Sequence, residues 1–352
     1  MSSSAPVLWQ PSPDRIADAN MTRFRQRIAA RYKVTLDDDH ALYTWSIHHS
    51  DLFWSAWWDF ANVIGDKGEN ILIDGDKMPG ARFFPDARLN YAENLLGGFG
   101  DKNEFVFWGE NQLKRRIDAK SIRSRVSQVQ QALRAEGVTS ADRVAALLPN
   151  IPETIFALLG VTSLGATWSS ASPDFGVQGV VDRFGQISPR ILFVIDGYYY
   201  NGKWIDCTDK IKALLPLLPD VHKIIVVPYD GEKVKLSQKI DGVTDWSTWL
   251  MQYAPADIIF ERVPFDHPLF ILFSSGTTGV PKCIVHGTGG SLLQLMKEHQ
   301  LHCDIKPGDR VFYFTTCSWM MWNWLVTALA SGANIMLYDG SPFYPDGNIL
   351  FH

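Results

Sequence analysis

The 352-residue sequence is short of several things that would assign it quickly. It has four cysteines, Cys207, Cys283, Cys303 and Cys317, with no CxxC pair and no companion ligand spacing. That excludes a disulfide framework and a zinc site as sequence readings and fits a reducing compartment. No block of five like charges occurs, and the net charge is −5, which argues against a nucleic-acid partner. The first twenty residues carry Pro6, Pro11 and Pro13 but no apolar core of a signal peptide. The most apolar stretch, Trp319 to Ala330, is too short to span a bilayer and contains Asn323. No tandem repeat or low-complexity tract is present. The expectation is a cytoplasmic protein without membrane or nucleic-acid partners.

What remains is ordinary globular material: 46% hydrophobic and 20% charged residues, enough for a sizeable core. Thirteen tryptophans are unusual, and they cluster before residue 60 and again near residue 320. Residues 1 to about 100 read as an irregular, aromatic-rich leader with one helical stretch at Ala19–Tyr32. The segment Asp51–Phe60 is apolar on more than one helical face, so it should dock onto another surface. Asp37-Asp38-Asp39 reads as a solvated loop, and Met78–Pro85 as a turn-rich connector.

A strand pair follows at Glu104–Gly109 and Gln112–Ile117. Asp118 then caps a helix whose apolar stripe is Ile122, Val126, Val129 and Leu133, and Gly137 ends it. From residue 143 short apolar runs alternate with helical segments. Expected strands are Arg143–Leu148, Thr167–Ser170, Arg190–Ile195, Lys223–Val227, Leu269–Phe273, Lys282–His286, Arg310–Thr315 and Asn334–Tyr338. Expected helices are Pro152–Leu164, Gly176–Gln186, Ser291–Leu301 and Trp319–Ala330. This alternation predicts a doubly wound, mostly parallel α/β fold. The sequence stops at Ile349-Leu-Phe-His352 with no closing helix after the last strand, which reads as truncation.

One loop stands out. An apolar strand runs into Ser274, Ser275, Gly276, Thr277, Thr278 and Gly279, then Pro281 and Lys282, before a second strand. Four hydroxyls, two glycines and one lysine within nine residues suit a polyphosphate. Glycines let the backbone bring N–H groups close to an anion, hydroxyls donate further hydrogen bonds, and Lys282 adds a mobile positive charge. Hydrogen bonds to a charged acceptor contribute ~1.5–3 kcal/mol each, so several together organise a triphosphate. The rival Walker A loop needs GxxxxGK[ST] opening a helix. Here the lysine follows Gly-Val-Pro and leads into β-branched residues. The pattern does not fit.

Ser274 to Lys282 resembles the phosphate-loop signature of the adenylate-forming superfamily, which includes acyl-CoA synthetases, luciferases and peptide-synthetase adenylation domains. Leu148-Pro-Asn-Ile-Pro-Glu-Thr154, Gly165–Gly176, Ala81-Arg-Phe-Phe-Pro85 and Leu89–Leu95 resemble its acetyl-CoA synthetase branch. Ser172–Val177, Asp182-Arg-Phe184, His267–Phe270, Trp319–Trp324 and Tyr338–Pro342 look most similar to the members that act on acetoacetate. The resemblance runs from about Trp9 to the end.

The resemblance implies an N-terminal extension over residues 1–100 and an AMP-binding domain over 101–352. It also implies a two-step reaction: a carboxylate joins ATP to give an acyl-adenylate and pyrophosphate, then coenzyme A attacks to give a thioester and AMP. The loop Ser274, Ser275, Gly276, Thr277, Thr278, Gly279 and Lys282 would hold the β- and γ-phosphates with Mg²⁺. Trp319, Met320, Met321 and Trp322 would border a pocket for a short acid, where the residues alone read first as a buried amphipathic helix with ordinary core methionines. Lys203, in Tyr200-Asn-Gly-Lys203, would meet a phosphate of coenzyme A. Two glycines of the branch are Ser169 and Ser170 here. The later motifs of the family, including the adenylation lysine of its C-terminal domain, are not found, so the resemblance implies a chain inactive or nearly so by itself. Acetoacetate, another short acid such as acetate, propionate or a hydroxy acid, and a non-catalytic nucleotide-binding module all stay open at this stage.

Overall fold

The computed structural model describes residues 7–230, 240–274 and 279–351. Four helices open the chain: α1 (Pro13–Asp18), α2 (Asn20–Tyr32), α3 (Asp39–His48) and α4 (Ser50–Phe60). The leader is therefore more ordered than its sequence suggests. The acidic run is not a plain loop, because the Asp38 carboxylate caps α3 by accepting from the Ala41 amide at 2.7 Å. Phe24 of α2 sits 5.1–5.6 Å from the rings of Phe53, Trp57 and Phe60, so the leader has its own aromatic core. Two-residue strands at Leu72–Ile73 and Arg82–Phe83 pair across the expected connector. Helix α5 (Tyr91–Gly98) is capped by Asn90, whose amide also donates to the carbonyls of Thr162, Ser163 and Glu261.

Strands β1 (Glu104–Gly109) and β2 (Lys114–Asp118) form the antiparallel pair, and α6 (Ala119–Ala135) follows with Asp118 accepting from Ser121 at 2.7 Å. Its stripe Ile122, Val126, Val129 and Leu133 is fully buried. Then come β3 (Arg143–Leu147), α7 (Pro152–Ser163), β4 (Thr167–Ala171), α8 (Val177–Phe184) and β5 (Ile191–Ile195). The short strands β6 (Gly197–Tyr200) and β7 (Lys203–Asp206) form a hairpin, followed by α9 (Thr208–Leu214), β8 (Lys223–Val227), β9 (Val243–Asp245) and α10 (Trp246–Leu250). The chain finishes with β10 (Pro268–Phe273), β11 (Cys283–Gly287), α11 (Thr288–Lys297), β12 (Arg310–Phe312), α12 (Met320–Thr327) and β13 (Asn334–Asp339).

Two sheets result. The larger has the order β9-β8-β5-β3-β4-β10-β11 and is parallel except for β10 against β11. The smaller has the order β12-β13-β1-β2, parallel except for β1 against β2. Covered on both faces, β5 is buried at every residue and β3 at every residue from Val144 to Leu147, which is why they read as unbroken apolar runs. Where the resemblance led to glycine, Ser169 donates to the Ile271 carbonyl at 2.8 Å and Ser170 to the Cys317 carbonyl at 2.6 Å. Those hydroxyls tie β4 to β10 and to the segment before α12.

Helix α11 joins leader to sheets. It starts three residues before the expected Ser291, despite Gly289 and Gly290. A Cβ on Gly289 would lie 2.0 Å from the Phe265 ring, so packing requires the glycine that propensity disfavours. Trp57 of α4 donates its indole N–H to the Leu293 carbonyl at 3.0 Å, so the surface on which the Asp51–Phe60 segment docks belongs to this same chain.

Candidate functional site

The β10–β11 hairpin is where the sequence placed the phosphate loop. Of its residues, Ser275, Gly276, Thr277 and Thr278 lie outside the described residues. The two ends are held together: the Ser274 amide donates to the Lys282 carbonyl at 3.0 Å, and the Lys282 amide donates to the Ser274 hydroxyl at 3.3 Å. Gly279 adopts φ 101°, a conformation open to glycine and strained for other residues. The returning arm is braced from the side, since Gln186 donates to the Pro281 carbonyl at 2.8 Å. The described ends of the hairpin thus meet at Ser274 and Lys282, with the lysine side chain exposed.

Beside it lies a cavity of about 730 Å³. Phe270 and Leu272 of β10 and Val285 and His286 of β11 supply one side, Gly290, Ser291, Gln294 and Leu295 of α11 another, and α12 the third. A pitch of about 100° per residue decides which α12 side chains enter. Met320, Met321, Asn323 and Trp324 fall on one arc and line the cavity, whereas Trp322 falls opposite. The expectation for Trp322 is thus corrected. Its indole is wholly buried, stacked on Trp168 at 6.5 Å, and donates to the Asn150 side chain at 3.0 Å. Trp319 is 68% exposed and is not part of this lining.

The cavity wall is mostly apolar, and its polar groups differ in state. Glu298, at the rim, accepts from Gln294 at 2.9 Å and Lys297 at 3.0 Å. Trp324 is wedged between Tyr313, 5.9 Å away, and the buried ring of His299, 4.5 Å away. Burial drives the His299 imidazole down to about 4, so it is neutral at ordinary pH. The Asn323 side chain is 2% exposed, yet neither its oxygen nor its nitrogen has a hydrogen-bond partner among the described residues. His286 Nδ1 is likewise sealed and unpaired among them. Sequence reading passed over both. The signal for Asn323 was one carboxamide inside an otherwise apolar run.

Lys203 stands apart from this cavity, exposed at the tip of the β6–β7 hairpin. Asn201 and Gly202, with φ 53° and 79°, make the turn. Glu110, almost wholly buried, holds the hairpin by accepting from the amides of Asn201 at 3.0 Å, Gly202 at 2.6 Å and Ser341 at 2.6 Å. One carboxylate therefore anchors the hairpin to the end of β13. Among the described residues no group of three or more His, Cys, Asp or Glu could hold a metal, and no helix is long and apolar enough to cross a membrane.

The β10–β11 hairpin and the mostly apolar cavity beside it thus sit together on a mostly parallel α/β frame. The chain belongs to the AMP-binding enzyme family, which matches residues 96–352, and residues 39–95 match the acetyl-coenzyme A synthetase N-terminus. It is 49% identical over 344 residues to an acetoacetyl-coenzyme A synthetase of Rhizobium meliloti (strain 1021), covering 98% of this chain and 53% of the relative. A malonamoyl-CoA synthetase of Penicillium aethiopicum is 37% identical over 362 residues, covering 96% of this chain and 48% of the relative. The solved acetoacetyl-CoA synthetase from Streptomyces lividans superposes with a TM-score of 0.90 at 40% identity, over 98% of this chain and 53% of that one. The chain spans about half the length of the relatives it matches.

Proposed function

We propose that this chain forms the first half of an ATP-dependent acid–thiol ligase that converts acetoacetate and coenzyme A to acetoacetyl-CoA through an acyl-adenylate, releasing AMP and pyrophosphate. The observation that carries the reading is the contact of the hairpin with the cavity: β10 and β11 both bear the loop and line the space that α12 closes. An acid seated against Met320, Met321 and Asn323 would lie beside the triphosphate gripped by Ser274–Lys282. Its carboxylate oxygen attacks the α-phosphorus, the bond to the bridging oxygen breaks, and pyrophosphate leaves with its negative charge held by the loop amides, hydroxyls and Lys282. Mg²⁺ enters this reading as the ion that travels with ATP. Coenzyme A would approach from the hairpin that Glu110 anchors, with Lys203 meeting one of its phosphates.

We read residues 1–100 as the extension and 101–352 as the nucleotide-binding part. The four cysteines are all free, which suits a reducing cytoplasm. The test is acid-dependent ATP–pyrophosphate exchange by the full-length polypeptide. Gly276→Val should lower exchange ~100-fold or more while leaving the melting curve intact. Unaltered exchange removes the loop from the mechanism. Exchange that responds to acetate or propionate in place of acetoacetate would replace the substrate and leave the reaction class.

A further inference from the structure

Most polar groups in this interior are satisfied, as buried groups must be. Asn90 makes three donor contacts, Glu110 accepts three amides, and Ser169 and Ser170 each reach a carbonyl. Among the described residues, Asn323 is an exception that borders a cavity. Its backbone oxygen accepts the Thr327 hydroxyl at 2.6 Å, but its carboxamide is idle on both ends among the described residues. An amide kept this dry without a partner is destabilising unless a ligand supplies one. Around it stand Met320, Met321, Phe270 and Leu272, which offer contact area and no donor, while the Trp324 indole, Ser291 and Gln294 border the same cavity. Among the lining groups, Asn323 and His286 Nδ1 hold buried polar atoms without a partner among the described residues, and of the two Asn323 supplies an amide N–H in every protonation state.

Resting on the ligase reading above, we propose that Asn323 is a specificity residue that donates its amide N–H to the carbonyl oxygen at the third carbon of the acid. Acetoacetate has a ketone there, and malonamate an amide carbonyl. Both are acceptors one methylene away from the carboxylate, whereas butyrate has the same length and only a methylene at that carbon. A site whose buried amide stays unpaired with butyrate discriminates by more than shape does, because the penalty falls on the wrong complex.

The experiment compares kcat/KM for acetoacetate and butyrate in acid-dependent pyrophosphate exchange by the full-length enzyme, wild type and Asn323→Leu. The expected result is a 10- to 100-fold drop in the acetoacetate-to-butyrate ratio, through loss of acetoacetate turnover with butyrate turnover kept or raised. A folding defect lowers both acids alike and cannot produce that change. If the leucine variant does not fold, Asn323→Ser, which shortens the side chain beyond reach of the ketone, carries the same comparison. An unchanged ratio with acetoacetate still activated overturns the proposal and leaves the ligase reading standing, as does a wild type that uses butyrate equally well. No exchange with any short acid defeats the ligase reading and this proposal together.

Discussion

The two sides of helix α11 teach opposite lessons. Towards the leader, Leu292, Leu293 and Met296 are buried, and the Leu293 carbonyl takes the Trp57 indole N–H at 3.0 Å. Towards the cavity, Gly290, Ser291, Gln294 and Leu295 face about 730 Å³ of space, across which Asn323 and His286 hold polar atoms without partners among the described residues. The first side is anchored by a satisfied hydrogen bond, with smaller spaces of about 140 to 510 Å³ beside it. The second carries open space and unpaired donors, which folding does not favour and binding would. The leader's role follows: it fixes from behind the helix that forms one wall of the cavity.

The anchored side should be the more sensitive to stability. Trp57→Ala removes a wholly buried indole and is expected to lower unfolding free energy by about 3–5 kcal/mol, read by urea denaturation. Trp57→Phe keeps most of the packing and loses the hydrogen bond, so about 1 kcal/mol is expected. A loss under 1 kcal/mol for the alanine variant would mean the leader is not what secures α11, and the contrast between the two sides would collapse.

A second comparison asks whether an unpaired buried group always signals a ligand. The Asp339 carboxyl, at the end of β13, has one oxygen sealed and unpaired among the described residues. Burial pushes it up to about 7, with Tyr229 nearby. No described cavity is lined by it, so its effect should appear in stability. The folded pKa lies above the unfolded value of roughly 3.9, so the native state binds the extra proton between the two. That contribution is full below about pH 4 and is lost as pH rises through about 7. Asp196, pushed up to about 6 by burial, acts in the same direction. His299, lowered to about 4, opposes both, its share being present above its ordinary range near 6.5 and lost on acidification. The expected outcome is that Asp339→Asn flattens the decline in stability between pH 5 and pH 7.5 relative to wild type. A variant whose pH dependence matches wild type would show that this carboxyl does not titrate in that window.

The sheets were legible because parallel strands covered on both faces leave unbroken apolar runs, as at Ile191–Ile195 and Lys223–Val227. Edges were less so. Arg310–Thr315 was expected as one strand, but β12 pairs with β13 only through Phe312, and Phe314 points to solvent. The β6–β7 hairpin went unread although Asn201-Gly202 between aromatic residues is a strong turn signal. The segment Ser274–Lys282 stood out by residue types alone, since a contiguous run of hydroxyls and glycines is visible without any fold. Trp322 was misjudged because a contiguous run on a helix does not share a face. Asn323 escaped for a different reason: whether a carboxamide is paired depends on carbonyls far along the chain, and no spacing rule records that.

The smallest effect separates function from fold most cleanly, because its sign is reversed. If the carboxamide of Asn323 is held unpaired for a ligand, then Asn323→Leu, similar in shape and free of polar atoms, should raise the stability of the ligand-free chain by about 1 kcal/mol. Leucine at a satisfied asparagine would do the opposite and cost about 1–3 kcal/mol, since a partner would lose its bond. Denaturation of the 352-residue chain in the absence of acid and nucleotide distinguishes the two. A destabilised leucine variant would mean that an ordered water already pairs this side chain. The cavity side of α11 would then be as satisfied as the side that faces the leader.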